Sequence, residues 1–195
     1  MGIDPLGERC DPYYETLADL GLVLISHTGE EQAVDAEELQ KLGNPLRLRR
    51  ALDAGVKVVM AHCASLGEDE DLDAKPDADA EYPMASSYDL FRRVLAEERY
   101  AGRVFGEISA MTQFNRVGAP LSRTLNSTAI HGALINGSDY PLPAIDPLIR
   151  LGLLEGEGFL DESDVEALSE VFDYNPLTFD FCLKRSLRWE DGGET

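Results

Sequence analysis

The sequence is poor in cysteine, histidine and positive charge, and each shortage narrows what the chain can be. Its three cysteines, Cys10, Cys63 and Cys182, are odd in number, far apart and without a C-x-x-C pair. Neither a disulfide framework nor a thiolate zinc site is expected, and a reducing cytoplasm is the expected location. Long apolar runs are missing too: stretches such as 20–25 fall far short of a bilayer span. Asp4, Glu8, Arg9 and Asp11 break up the first dozen residues, so no secretory leader is read there. Only 17 Lys and Arg face 37 Asp and Glu, a net charge of -20. Such a surface repels phosphate backbones and anionic lipid, so neither nucleic acid nor a membrane surface is an expected partner. The phosphate loop G-x-x-x-x-G-K-[ST], the dinucleotide fingerprint G-x-G-x-x-G and the nucleophile elbow G-x-S-x-G are all absent.

What is present suits a globular domain: 195 residues, 44% of them hydrophobic, can bury a core. Four short apolar runs, 21–26, 56–61, 103–109 and 132–137, are mostly aliphatic or β-branched and bounded by Gly or polar residues. That is the signature of strands buried on both faces. Between them lie helix-period stretches at 13–20, 45–54, 87–98 and 121–130, with Asn44-Pro45 as a start signal and Gly21, Gly55 and Gly102 as stop signals. Strand and helix alternate, so the expected class is α/β with a parallel sheet. Three further helices are expected at 144–153, 162–172 and 176–187, with no strand after residue 137. The stretch 68–81 holds eight carboxylates among fourteen residues, has no apolar period and reads as a solvated loop.

The polar residues after the strands carry the chemistry. His27 follows the first run, His62 the second and Asp139 the fourth. All strand C-termini of a parallel sheet lie on one side, so the three side chains could converge there. Two imidazoles and a carboxylate form a ligand set for a divalent metal, zinc first, whose catalytic sites keep one position open for water. A lone histidine after a strand is more often a cap or a satisfied loop residue, and for His131, which precedes the fourth strand, that reading prevails. Glu107 and Ser109 end the third run and Arg116 lies just beyond, so all three could face a substrate. Arg116 would fork onto a carboxylate, or else pair with an acidic neighbour at the surface. Glu30 and Glu31 could orient His27 or merely start the next helix. Cys63, next to His62, reads as a packing residue.

Five pieces in chain order, Ile25-Ser-His-Thr-Gly-Glu30, Val59-Met-Ala-His-Cys-Ala64, Gly106-Glu-Ile-Ser-Ala110, Asn136-Gly-Ser-Asp-Tyr-Pro141 and Asn175-Pro-Leu-Thr-Phe-Asp180, resemble the amidohydrolase superfamily of metal-dependent barrels, in particular its amidohydrolase-related branch. The resemblance implies that residues 1–195 form one partial TIM-barrel domain, the C-terminal half, with strands five to eight followed by C-terminal helices. It implies His27 after strand five and His62 after strand six as metal positions, and Asp139 after strand eight as metal position and proton-transfer group, with His62 also able to polarise a substrate. Relatives hydrolyse amide or ester bonds, often in cyclic substrates, and some decarboxylate instead, so the resemblance implies a small-molecule substrate. A departure accompanies this: the family's opening H-x-H strand has no counterpart, since His27, His62 and His131 are the only histidines. Strands one to four are therefore expected to lie outside this sequence, Met1 is expected to be internal to a longer parent, and the isolated fragment is expected to be inactive and to self-associate through open sheet edges. A non-catalytic acidic half-barrel that binds a partner is the alternative from another class.

Overall fold

The computed structural model describes residues 2–32, 37–76 and 81–189. The chain divides into two compact units, residues 1–107 with 133–135, and residues 108–132 with 136–195.

The first unit carries the sheet. Helix α1 (Asp11–Asp19) opens with Pro12 in its first turn, where a missing N–H does no harm. It ends at Gly21, whose φ of +64° turns the chain into strand β1 (Val23–His27). The Asn44 side chain caps the 3-10 turn Pro45–Leu48 by accepting from the Leu46 amide, and the chain continues into helix α2 (Arg49–Asp53). Strand β2 (Lys57–Ala61) follows. Next come two short strands, β3 (Glu68–Glu70) and β4 (Met84–Ser86), paired antiparallel, and then helix α3 (Ser87–Leu95). The α3 stripe Tyr88, Phe91 and Val94 is buried at the spacing of one helix face. Strands β5 (Val104–Glu107) and β6 (Leu134–Ile135) complete a four-stranded sheet of order β1-β2-β5-β6, parallel throughout.

Strand order equals chain order, the arrangement that repeated right-handed β-α-β crossovers generate. The register, Ile25 beside Val59 and Val59 beside Phe105, combines with the two-residue strand period to sort the side chains. Val23, Ile25, His27, Val59, Ala61, Phe105 and Glu107 share one face; Leu24, Ser26, Val58, Met60, Val104 and Gly106 share the other. Helix α3 packs on the second face, close enough that a β-carbon on Gly106 would come within 2.6 Å of Phe91 Cζ and 2.7 Å of Cys63 Sγ.

The acidic stretch 68–81 is not wholly a solvated loop. Asp69 is buried in β3 and accepts from the Ser87 hydroxyl at 2.7 Å, while burial raises its carboxyl above the ordinary range. Glu70 C=O accepts from Asn44 Nδ2 at 2.8 Å. Asp71 and Asp73 meet Arg93, and Asp73 also meets Arg49. Arginines rather than apolar spacing hold this hairpin, and hydrophobic periodicity does not register them. Residues 77–80 lie outside the described part.

The second unit is helical: α4 (Ala119–Asn126), α5 (Leu151–Gly156), α6 (Glu162–Tyr174) and α7 (Pro176–Ser186). Asp161 and Asp164 form a capping box at the start of α6, and Asn175 Oδ1 accepts from the amides of Leu177 and Thr178 to start α7. Phe172 meets Phe179 edge to face at 5.1 Å between α6 and α7. The helix expected at 144–153 begins later, at Leu151. Ile145 is extended and Pro147 offers no N–H, so the segment before Leu151 does not stay helical. Among the described residues no helix is long and apolar enough to cross a membrane.

Candidate functional site

His27 is the last residue of β1, His62 the first residue after β2, and Glu107 the last residue of β5. Parallel strand order therefore brings all three to one edge of the sheet. The two imidazoles stand 5.2 Å apart between centroids, at an interplanar angle of 63°. Each Nδ1 faces a carboxylate: His27 toward Glu31 Oε2 at 3.4 Å, His62 toward Glu107 Oε2 at 3.8 Å. The His62 amide also donates to Glu107 Oε2 at 3.4 Å. A carboxylate at Nδ1 favours the tautomer whose Nε2 lone pair is free for another partner. Among the described residues, Nε2 of His27 is buried and has no hydrogen-bond partner, which a buried ring nitrogen rarely tolerates.

The backbone that presents His62 is unusual. His62, Cys63 and Ala64 all have left-handed φ values, 59°, 50° and 49°. None is Gly or Asn, and each such residue costs about 1–2 kcal/mol. The run turns the chain sharply off β2 and seals Cys63 inside, where burial first and then the charge of Glu107 push its thiol far up. Cys63 is thus a packing residue, as its sequence context suggested.

An open cleft of about 840 Å³ runs beside His27, lined by β1 from Leu24, by Arg9 and Tyr13, and by Glu31 and Gln40. It reaches His27 and Glu31; His62 and Glu107 do not line it.

The other sequence-derived candidates belong to the second unit. Asp139 follows β6 and sits in a left-handed conformation, φ 56°. Its turn is anchored by Lys184, whose Nζ donates to Gly137 C=O at 2.5 Å and to Asp180 Oδ2 at 2.7 Å. The Lys184 and Asp180 side chains are 6% and 3% exposed, so this i,i+4 pair is buried. Ser109 is buried and its C=O accepts from the Met111 amide. Arg116 is buried as well, at 7% exposure. His131 Nε2 lies 2.9 Å from the Thr124 C=O, a local structural bond.

His27, His62, Glu31 and Glu107 are thus brought together within one unit, while Asp139, Ser109 and Arg116 lie in the other. Among the described residues no group of three or more His, Cys, Asp or Glu side chains is gathered to hold a metal ion. Two residues went unread in the sequence. Thr28, wholly buried, donates to the Ala61 C=O at 2.8 Å just ahead of His62. Lys184 is the other, in the stretch 176–187 that reads only as a helix. Its neighbours Phe179 and Leu183 carry the signal that it lies on the buried stripe of α7.

No family model matches the chain, and no curated protein matches it. Among solved structures it is similar to a proposed 2-pyrone-4,6-dicarboxylic acid hydrolase from Pseudomonas putida, with a TM-score of 0.44 and 17% identity over 95% of this chain and 55% of that one. The chain spans about half the length of that protein.

Proposed function

We propose that the chain supplies the second half of a metal-dependent hydrolase barrel of the amidohydrolase type, that residues 1–195 are one partial domain of it, and that its β1, β2, β5 and β6 are strands five to eight. One observation carries the reading: two histidines at successive strand ends, rings in contact, each backed by a carboxylate, with His27 Nε2 buried and, among the described residues, unmatched. These two imidazoles suit a divalent ion, zinc first, and would supply two of the three protein ligands that a hydrolytic zinc uses. The bound ion would lower the pKa of a water molecule toward neutrality and polarise a scissile amide or ester carbonyl.

The protein's own groups do the rest. Glu31 and Glu107 fix the ring orientations of His27 and His62. Asp139, the third metal position that the resemblance implies, accepts a proton from the attacking water and returns it to the leaving group. His62 polarises the substrate if it does not ligate. Arg116, Glu107 and Ser109 contact the substrate, Arg116 through a carboxylate fork.

Zinc titration calorimetry of the wild-type chain, His27→Ala and His62→Ala tests the reading. Stoichiometric binding lost in both variants supports it, whereas no binding by the wild type, or unchanged binding in the variants, overturns it. In the proposed complete barrel, with the first-half strands present and metal loaded, a panel of cyclic amides and esters assayed beside carbon dioxide release separates hydrolysis from decarboxylation. A second reading, a non-catalytic acidic half-barrel that binds a partner, is favoured by the absence of three gathered ligands among the described residues; a wild type that retains no zinc after dialysis would favour it further.

A further inference from the structure

The segment that follows His27 also touches the turn that carries His62. Thr28, Gly29 and Glu30 meet the left-handed turn from both ends. Ahead of it, the Thr28 hydroxyl donates to the C=O of Ala61, the residue before His62, at 2.8 Å. Behind it, the Glu30 amide donates to the Leu66 C=O at 2.9 Å. Between these two bonds Gly29, at φ +79°, lies so close that a β-carbon would stand 2.6 Å from the Leu66 oxygen and 3.2 Å from Ala64 Cα. Gly29 is itself held by its amide's bond to the Gly43 C=O at 3.0 Å. Within the turn the Ser65 amide donates to the His62 C=O at 3.0 Å, and the Glu107 carboxylate at the end of β5 accepts from the His62 amide at 3.4 Å. Three consecutive left-handed residues without glycine have no intrinsic preference to stay there, so contacts from outside the turn hold them.

We propose that Thr28 is a positioning residue for His62: its buried hydroxyl fixes the entry to the left-handed turn and so sets the His62 ring against the His27 ring. The proposal rests on the reading of the histidine pair as a functional site. It deepens that reading by making residues 27–30 one device, in which a histidine and the clamp of its partner share four consecutive positions.

The experiment compares Thr28→Val, which keeps the side-chain shape and removes the hydroxyl, with Thr28→Ser, which keeps the hydroxyl. The first readout is NMR of the metal-free chain: HN–Hα couplings of His62, Cys63 and Ala64 and the ring-to-ring NOE between His27 and His62, with His131 as an internal control. Thr28→Val is expected to lose the NOE and the left-handed couplings while His131 is unchanged, and Thr28→Ser is expected to keep both. The second readout is the zinc dissociation constant, expected to rise about tenfold or more in Thr28→Val and to stay near the wild-type value in Thr28→Ser. Unchanged NOE and couplings in Thr28→Val overturn the proposal. A wild type that binds no zinc sinks the metal reading while the NMR readout still decides the positioning role. If Thr28→Val does not fold, the wild type decides: a slowly exchanging Thr28 hydroxyl proton with a cross-peak to the His62 amide supports the proposal, and a freely exchanging one overturns it.

Discussion

Strands β1 and β2 are each five residues long, mostly aliphatic, and paired residue for residue from Val23 beside Lys57 to His27 beside Ala61. Their surroundings differ sharply. Val58 and Met60 of β2 are 0% exposed, whereas Ile25 of β1 is 70% exposed and Val23 is 47%. Strand β2 has β1 and β5 on its two sides and α3 in its unit; among the described residues β1 pairs on one side only. Apolar, β-branched sequence makes a strand, but neighbours decide whether it is core. The exposed row Val23-Ile25 ends at His27, so the site's first histidine stands on the less supported strand and its second on the best supported one.

Energetics should reproduce that contrast. The largest effect is expected from Met60→Ala on β2: a loss of about 2–5 kcal/mol, read as a lowered urea midpoint at constant slope. A loss below about 0.5 kcal/mol would break the comparison. Gly106→Ala tests the packing that makes the β2 side tight, since its new methyl would press on Phe91 and Cys63; about 1–3 kcal/mol of destabilisation is expected in the same titration.

A smaller effect concerns the hairpin that follows β2. Hydrogen bonds from Arg49 hold the Asp73 carboxyl down to about 2, and Arg93 lowers Asp71 in the same way. A carboxyl depressed in the folded state stabilises above its unfolded value and loses that contribution as pH falls through the folded one. The stability gap between wild type and Arg93→Gln in thermal melts should therefore close between about pH 4 and pH 2; the side chains are partly exposed, so the gap itself should be under about 1 kcal/mol. A gap that widens in acid would contradict the assignment. The smallest stability change belongs to Ile25→Lys on β1, within about 0.5 kcal/mol. On the proposal that copies associate through this open edge, the same variant should shift sedimentation toward monomer, and an unchanged distribution would count against that association.

The strands were legible because aliphatic runs bounded by glycine have few other readings, and β1, β2 and β5 fall inside or within a residue of the runs that announced them. Histidines directly after such runs were equally legible, since parallel order fixes which side they emerge on. The β3–β4 hairpin was not, because Asp69, Asp71 and Asp73 are held by Ser87, Arg49 and Arg93 from distant positions. The left-handed turn at His62 was not either. Local sequence announces such turns through Gly or Asn, and here the conformation is imposed by residues more than thirty positions away.

The sealed thiol of Cys63 makes the chain a gauge of its own integrity. Cys10 and Cys182 are partly exposed and Cys63 is buried, so a brief pulse of alkylating reagent should tag two sulfurs in the native protein and three once the sheet-bearing unit opens. Counting tags by mass then reports the opening of the turn that carries His62, without dye, metal or substrate.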